Sequence, residues 1–563
     1  MSAERATTES YSLTSEEEYR LDFPRLVIVF SVMLAVLLEI IDTSIVNVAI
    51  PTMMGNLGAT LDEIDWVVTA YIVSIVIMLP MTGWMASRFG RKRYFVTSIG
   101  VFTAASLMCG ASQTVDQLIF WRIVQGLGGG ALMATAQAIL VESFPPSKQG
   151  IGQAIFGIGA MIGPSIGPTL GGWLTDNYSW HWCFLVNVPL GIVAGALCAT
   201  FLHDPPHLVR NPRGRIDWPG IALLVIGIGC FQTLLERGNK DDWFESPTIV
   251  WLGIASVVGL VGLVIRELST DDPVIDFSIL RDRTFALGCL LTMAGGFALF
   301  GVVFLFPIYA QTLLGWTAWQ SGLGSLPPSL STAITMAIMG RIIWHTGPRV
   351  LYLTGMVMMI LTLREMATWT LASGWDDVLA GQTMRGVASG LLFVPLSAAT
   401  LRALAPEDIA KGSGLFNLSR QLGGSFGIAI LAAVLDRRSD QHKVELARHL
   451  SPFDASTRAT FDDLARSFAD RGLDEAGADF AARTVFDGML SAQAMMESFY
   501  DAFFLMAVVF VVLFPLGLLV PKHMPGKLEA KAAARERAER EAAAPEPAEG
   551  GDGEDDRVGV SPA

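Results

Sequence analysis

Long apolar stretches, broken by short charged or Gly/Pro-containing segments, recur along the chain, and this alternation predicts helices that cross a membrane. A helix needs roughly 20 residues to cross about 30 Å of hydrocarbon, and the runs at 26–50, 285–310 and 503–520 approach or exceed that length. The pattern predicts six spans at 26–50, 64–86, 94–114, 117–141, 150–174 and 180–202, and two at 218–236 and 247–266. Six more follow at 285–310, 320–344, 349–370, 376–401, 411–435 and 500–520, fourteen in all, with Arg364 and Glu365 interrupting the 349–370 span. The first run is too long for a signal-peptide core and lacks a small-residue cleavage site, so it reads as a retained span.

Basic residues orient this array, because short cytoplasmic loops collect Lys and Arg. With the N-terminus inside, the short inner loops hold Arg88, Arg91, Lys92, Arg93, Lys148, Arg210, Arg213, Arg215, Arg266, Arg281, Arg283, Arg341, Arg349, Arg402 and Lys411. The short outer loops hold little beyond Arg237 and Lys240, and the basic stretch from Lys522 to Arg540 also falls inside. Both termini are therefore expected in the cytoplasm. An internal repeat supports the same plan: Gly83 and Gly90 recur as Gly340 and Gly347, offset by 257, and Arg122-x-x-Gln125-Gly126 is echoed by Gln382-x-x-Arg385-Gly386, offset by 260. Repeated six-helix halves enclosing a site at their interface are a recurring transporter architecture. The expected organisation is an N-terminal tail over 1–25, a six-helix bundle over 26–202 and a linker with two extra spans over 203–284. A second six-helix bundle over 285–521, including an outer loop over 436–499, and a partly disordered tail over 522–563 complete it. In the outer loop Phe461, Leu464, Ala465 and Phe468 fall at helical spacing, which predicts a small helical cap.

Composition narrows the function classes. At 52% hydrophobic and 16% charged residues, the chain is too apolar for a soluble protein of several domains. The net charge of −14, partly from Glu16, Glu17, Glu18 and the acidic tail, argues against a nucleic-acid partner. Cys109, Cys183, Cys198, Cys230 and Cys289 are scattered through apolar segments without CxxC or His-rich neighbours, so they read as packing residues, and neither a metal site nor a cofactor is expected.

The candidate chemistry lies inside the spans. Glu39 and Asp42 are three apart and share a helix face. At about 1.5 Å per residue from Ile50, they sit roughly 17 and 12 Å below the outer surface. A carboxylate at that depth faces a wet cavity, pairs with a cation or carries a proton for part of a cycle. Arg122, roughly 8 Å below the same surface, either reaches the level of Asp42 or snorkels outward, with Gln125 as a hydrogen-bonding neighbour. The repeat places Gly296 and Leu299 at the positions of Glu39 and Asp42, so carboxylate-based proton coupling would belong to the N-terminal half. In the fifth span, Gly159, Gly163, Pro164, Gly167, Pro168, Gly171 and Gly172 combine close-packing glycines with helix-deforming prolines. The inner-loop residues Gly83, Arg88, Gly90, Arg91 and Lys92 form a tight basic turn that recurs in the other half. Asn47, Phe297, Phe300, Asn417, Arg420 and Gln421 are candidates to line a substrate cavity, although each would serve equally in packing.

These residues carry a resemblance. The chain, from about Leu26 to Pro521, resembles the major facilitator superfamily and, within it, the fourteen-span EmrB/QacA-type drug:proton antiporters. The anchors are Asp42-Thr-Ser-Ile-Val-Asn47-Val-Ala-Ile-Pro51, Arg122-x-x-Gln125-Gly126, and the Gly-Pro segment, which looks like the family's antiporter motif. The inner loop resembles GxxxDRxGRK, with Ser87 where many members carry Asp. The resemblance implies an all-α major facilitator fold and proton-coupled export of drug-like hydrophobic compounds across a bacterial inner membrane. It also implies a periplasmic membrane-fusion adaptor and an outer-membrane channel as partners, with 436–499 as a periplasmic loop. The same architecture would also suit export of a metabolite, siderophore or fatty acid. No GxxxxGK[ST] phosphate loop is present, and Gly126 to Gly130 lie inside a span, which disfavours nucleotide-driven transport and a dinucleotide fold. A non-transporting sensor or scaffold would not need a buried Glu39, Asp42 and Arg122, and a lipid-modifying enzyme would need a His/Asp/Ser cluster that the sequence lacks.

Overall fold

A computed structural model of the chain describes residues 23–145, 148–205, 216–270, 272–450 and 455–524. The first half comprises α1 (Phe23–Leu57), α2 (Leu61–Phe89), α3 (Arg91–Gly110), α4 (Val115–Glu142), α5 (Gln149–Asn177) and α6 (Asn187–Phe201). Helices α7 (Trp218–Arg237) and α8 (Pro247–Ser269) follow. The second half comprises α9 (Arg283–Ile308), α10 (Leu326–Thr346), α11 (Pro348–Met366), α12 (Trp375–Arg402), α13 (Ile409–His449), α14 (Ala455–Ala469) and α15 (Glu475–Gly517). Among the described residues twelve helices are long and apolar enough to cross a membrane. Helices α3 and α11, of 20 and 19 residues, fill the other two predicted spans. Each is long enough, at about 1.5 Å per residue, for most of a bilayer core, but α3 begins at Arg91-Lys92-Arg93 and α11 carries Arg349, Arg364 and Glu365.

Local signals place the helix ends. Thr60 Oγ1 accepts from Glu63 N at 3.3 Å while Glu63 Oε2 accepts from Thr60 N at 2.8 Å, a reciprocal cap on α2. Thr114, Asp282 and Asp474 cap α4, α9 and α15 in the simpler way. The repeat predicted from sequence is visible in the backbone: Gly90 has φ 88° and ψ 140°, Gly347 has φ 88° and ψ 149°, and each joins the second and third helices of its half. A side chain at that φ is strained. The seam between the halves repeats as well, since α2 packs on α13 and α10 on α5. A Cβ on Gly83 would lie 2.6 Å from Lys411 Cα, and one on its counterpart Gly340 would lie 2.8 Å from Gly150 O. The pair α7–α8 lies beside this seam, with α7 against both α2 and α13.

Two predicted elements differ. The sixth span, 180–202, is divided into a turn of helix at Trp182–Leu185 and then α6, because Pro189 offers no N–H to the carbonyl four residues back. The outer loop at 436–499 is largely not a loop. Helix α13 runs unbroken for 41 residues and α15 for 43, so both project beyond the apolar runs at 411–435 and 500–520. The segment from Asp436 to His449 contains neither Gly nor Pro, and nothing stops the helix where the lipid-compatible stretch ends. Arg438–Asp501 at 2.6 Å, His442–Asp501 at 2.9 Å and Lys443–Asp487 at 3.0 Å tie the two extensions together. The predicted helix through Phe461, Leu464, Ala465 and Phe468 is α14, and those four side chains are half-buried as it packs on α15. The tail over 1–22, Arg210, Arg213 and Arg215, and the tail beyond Met524 lie outside the described residues.

The glycines of α5 fit against α1. A Cβ on Gly159 would collide with Met33, on Gly163 with Ile40, on Gly167 with Ser44, and on Gly171 it would lie 2.6 Å from Ile45 O. Replacing Gly163 with Val inserts three carbons where Ile40 already sits, an overpacking that costs about 1–3 kcal/mol. Purified Gly163→Val protein is expected to unfold at a lower temperature than wild type in detergent, and an unchanged melting curve would show that α1 and α5 separate freely.

Candidate functional site

Asp42 lies inside α1 with no solvent exposure, and its carboxylate is held by three donors from two other helices. Arg122 Nη1 on α4 donates to Oδ2 at 2.5 Å, while Gln125 Nε2 on α4 and Asn187 Nδ2 on α6 each donate to Oδ1 at 2.8 Å. Arg122, also fully buried, donates from Nε to Val67 O at 2.9 Å and from Nη1 to Gln125 Oε1 at 2.8 Å. Its guanidinium carbon stands 3.8 Å from the centre of the Tyr71 ring, a cation–π contact from α2. Ser106 on α3 accepts from Gln125 Nε2 at 3.1 Å and from Asn187 Nδ2 at 3.2 Å, and its hydroxyl donates to Phe184 O at 2.9 Å.

Glycines bring these helices close enough. A Cβ on Gly126 would lie 2.6 Å from Tyr71 O, on Gly128 2.8 Å from Phe102 N, and on Gly130 2.6 Å from Ile75 O. The glycine cluster of α4 therefore seats α2 on one side and α3 on the other, at the level of the Arg122–Asp42 pair. A buried ion pair is favourable only when its geometry and accessory hydrogen bonds are good, and this one has three donors on the carboxylate. Arg122 Nη2 and Asn187 Oδ1 remain without a partner.

The structure unites four of the predicted residues around one face of α4: Asp42, Arg122 and Gln125 directly, and Glu39 one turn away. Glu39 is 5% exposed, and its Oε2 has no hydrogen-bond partner. In the basic turn, Arg91 forms a bidentate pair with Glu142 at 2.6 and 2.9 Å, and Lys92 N donates to Asp204 at 2.7 Å. Arg88 stacks 5.7 Å from Trp84, and Ser87 turns back to Trp84 O at 2.9 Å. The six cavity candidates do not share one environment. Phe297 is in the hydrophobic core, Phe300 packs on Gly424, Asn417 donates to Gln137 at 2.5 Å, Arg420 is buried, Gln421 is half-buried and Asn47 is exposed. Among the described residues no His/Cys/Asp/Glu group suited to a metal ion is found.

Asn187, Ser106 and Tyr71 escaped the sequence reading. Asn187 gave a signal, a lone amide within the apolar segment Val186 to Leu190, whereas Ser and Tyr are common in membrane helices and carry no such mark. In the second half, Arg385 Nε donates to Gln382 Oε1 at 2.8 Å, so the arginine–glutamine pairing survives with its order reversed. Gly296, at the repeat position of Glu39, packs instead on the backbone of Arg420.

Removing Arg122 leaves the Asp42 carboxylate buried without its cation, a change that costs about 3–5 kcal/mol. Arg122→Ala is expected to lower the melting temperature of purified protein well below that of Arg122→Lys, which keeps the charge. Equal melting temperatures for the two variants would mean that the pair contributes little to folding.

The family model described as Major Facilitator Superfamily matches residues 32–428. The multidrug export protein EmrB of Escherichia coli K12 is 36% identical over 433 residues, which cover 77% of this chain and 84% of that one. The fatty acid resistance protein FarB of Neisseria gonorrhoeae is 30% identical over 502 residues, covering 89% and 97% respectively. The crystal structure of the human organic anion transporter MFSD10 (TETRAN) superposes with a TM-score of 0.56 at 14% identity, covering 87% of this chain and all of that one, a likeness of fold alone. The matched family model and these relatives, together with an all-helical, multi-span, internally repeated architecture, show that the chain belongs to the Major Facilitator Superfamily.

Proposed function

We propose that the protein exports drug-like hydrophobic compounds across a bacterial inner membrane in exchange for protons, with Asp42 as the principal proton-carrying group. The observation that carries this reading is the fully buried Asp42 carboxylate inside a membrane helix, held by Arg122, Gln125 and Asn187. A charge so placed is costly. Protonation of Asp42 cancels its attraction to Arg122 and converts an acceptor-only carboxylate into a group that also donates, so the three donors around it no longer fit. A proton thereby changes the packing of α1 against α4 and α6. Glu39, on the same face of α1, is a second carrier in this scheme. The glycines and prolines at 159–172 let α1 move against α5, and the basic turn from Gly83 to Lys92 fixes α2 to α3 at the inner surface. The bundles at 26–202 and 285–521 act as the two rocking bodies, both termini are cytoplasmic, and ordinary side chains of the seam line the substrate path. The names of the relatives, a multidrug export protein and a fatty acid resistance protein, support a small-molecule cargo.

In proteoliposomes, an imposed pH gradient is expected to drive a hydrophobic dye against its concentration gradient. Asp42→Asn, which keeps the shape but cannot cycle a proton, is expected to abolish that accumulation while retaining dye binding. Accumulation that requires ATP and ignores the gradient would overturn the proposal, and undiminished coupling in Asp42→Asn would move the role elsewhere.

The extensions of α13 and α15, with α14 against them, form the docking surface for a periplasmic membrane-fusion adaptor that leads to an outer-membrane channel. A turn would suffice to join two spans, and the ion-paired helical stalk exceeds that need. Deleting 455–469 is expected to leave transport in vesicles intact while abolishing cellular resistance and co-purification with the adaptor. Full cellular resistance after the deletion would refute docking there, and impaired vesicle transport would identify the stalk as a lid.

A further inference from the structure

The ligands of Asp42 all belong to the first half: Arg122 and Gln125 on α4 and Asn187 on α6. A change at Asp42 therefore has no direct contact with the second half, yet alternating access requires the two halves to move against each other. Glu39 of the first half and Arg420 of the second lie within electrostatic reach of each other across the seam. Each is 5% exposed, and each carries an unfilled polar position, Oε2 on Glu39 and Nε on Arg420.

Both lie against one stripe of α4. Gln125, Gly129, Met133 and Gln137 recur every four residues and so share a helix face. At Gln125 the stripe meets Asp42. One turn on, a Cβ on Gly129 would lie 3.5 Å from Glu39 Cγ. At the next turn Arg420 Nη2 rests on Met133 Sδ. At the last, Asn417 Nδ2 donates to Gln137 Oε1 at 2.5 Å, and Gln137 Nε2 continues to Gln153 Oε1 on α5 at 3.0 Å. The groups around Glu39 are Asp42 on its own helix, Tyr71 on α2, whose hydroxyl donates to Glu39 O at 3.4 Å, Arg122 on α4, committed to Asp42, and Arg420 on α13. Arg420 is thus the cation within electrostatic reach of Glu39 that no other acid claims.

We propose that Arg420 is a positioning residue of the transport cycle, the counter-charge by which the second half senses whether Glu39 is ionised. With Glu39 ionised, opposite charges in a low-dielectric seam hold α13 against α1 and α4. With Glu39 protonated, Arg420 is a buried cation without an anion, and the seam opens to admit water to it. Asp42 alters packing within its half, and the attraction between Glu39 and Arg420 passes the proton's effect across the seam. This inference rests on the proton-coupled reading above.

The test is the pH profile of transport in proteoliposomes for wild type, Arg420→Gln, Glu39→Gln and the double variant. Removing a nearby cation favours the protonated carboxyl, so Arg420→Gln is expected to move the half-maximal pH upward by about one unit. On the Glu39→Gln background the same substitution is expected to cause no shift. A shift of equal size on both backgrounds, or none on either, overturns the proposal, while a wild-type protein that ignores the pH gradient overturns the parent reading as well. Should Arg420→Gln fail to fold, Arg420→Lys serves the same purpose: the charge is kept but displaced, and its smaller shift must also vanish on the Glu39→Gln background.

Discussion

A carboxylate with no exposure, at bilayer depth, sets the terms for much of the first half of the chain. Removing an ion from water costs several kcal/mol even after relaxation, so Asp42 is tolerable only where a cation and further donors converge on it. That convergence demands close helices. Glycine at 126, 128 and 130 lets α2 and α3 approach α4 until backbone atoms would lie under 3 Å from any added methyl group. Glycine at 163, 167 and 171 lets α5 approach α1, where an added methyl group would meet the side chains of Ile40 and Ser44 and the backbone of Ile45. Two motifs that look separate in the sequence, the acid–arginine pair and the glycine cluster of α4, therefore answer one electrostatic requirement.

The two halves keep the same scaffold and differ in charge. Gly90 and Gly347 share a backbone conformation, and Arg122–Gln125 and Gln382–Arg385 share a pairing, but among the described residues a carboxylate is paired with the arginine in the first half alone. The second half contributes Arg420 and Asn417 to the seam instead. The halves share the turn and the Arg–Gln pairing, while the buried carboxylates Glu39 and Asp42 belong to the first.

Most of the fold was legible because lipid imposes a simple code: apolar length gives the spans, and Gly90 and Gly347 mark turns that other residues enter with strain. The pairing of Asp42 with Arg122 was legible for a related reason, since two opposite charges at similar depth have few other ways to be buried. The ends of α13 and α15 were not, because hydropathy marks where lipid stops, whereas a helix stops at Gly, Pro or a cap. Asn187 and Ser106 were missed because a single small polar residue in an apolar span has no periodic signature. The cavity candidates carried the least signal, since Phe297 is packed in the core and Asn47 is exposed, and apolar pocket linings use the same side chains as packing.

The seam between the halves is built differently from their interiors. Across it, Gly83 meets Lys411, Gly340 meets Gly150, Gly414 meets Leu79, Ser413 Oγ donates to Ala134 O at 2.7 Å and Asn417 donates to Gln137 at 2.5 Å. The two hydrogen bonds among these are neutral, each worth about 1 kcal/mol net when water can replace the partner. Within the first half, breaking the Arg122–Asp42 pair alone costs about 3–5 kcal/mol. Breaking any one of these seam hydrogen bonds is therefore cheaper than breaking the buried pair inside the first half. In the proton-coupled reading proposed above, this contrast lets the seam part while Asp42 and Arg122 stay together within one half.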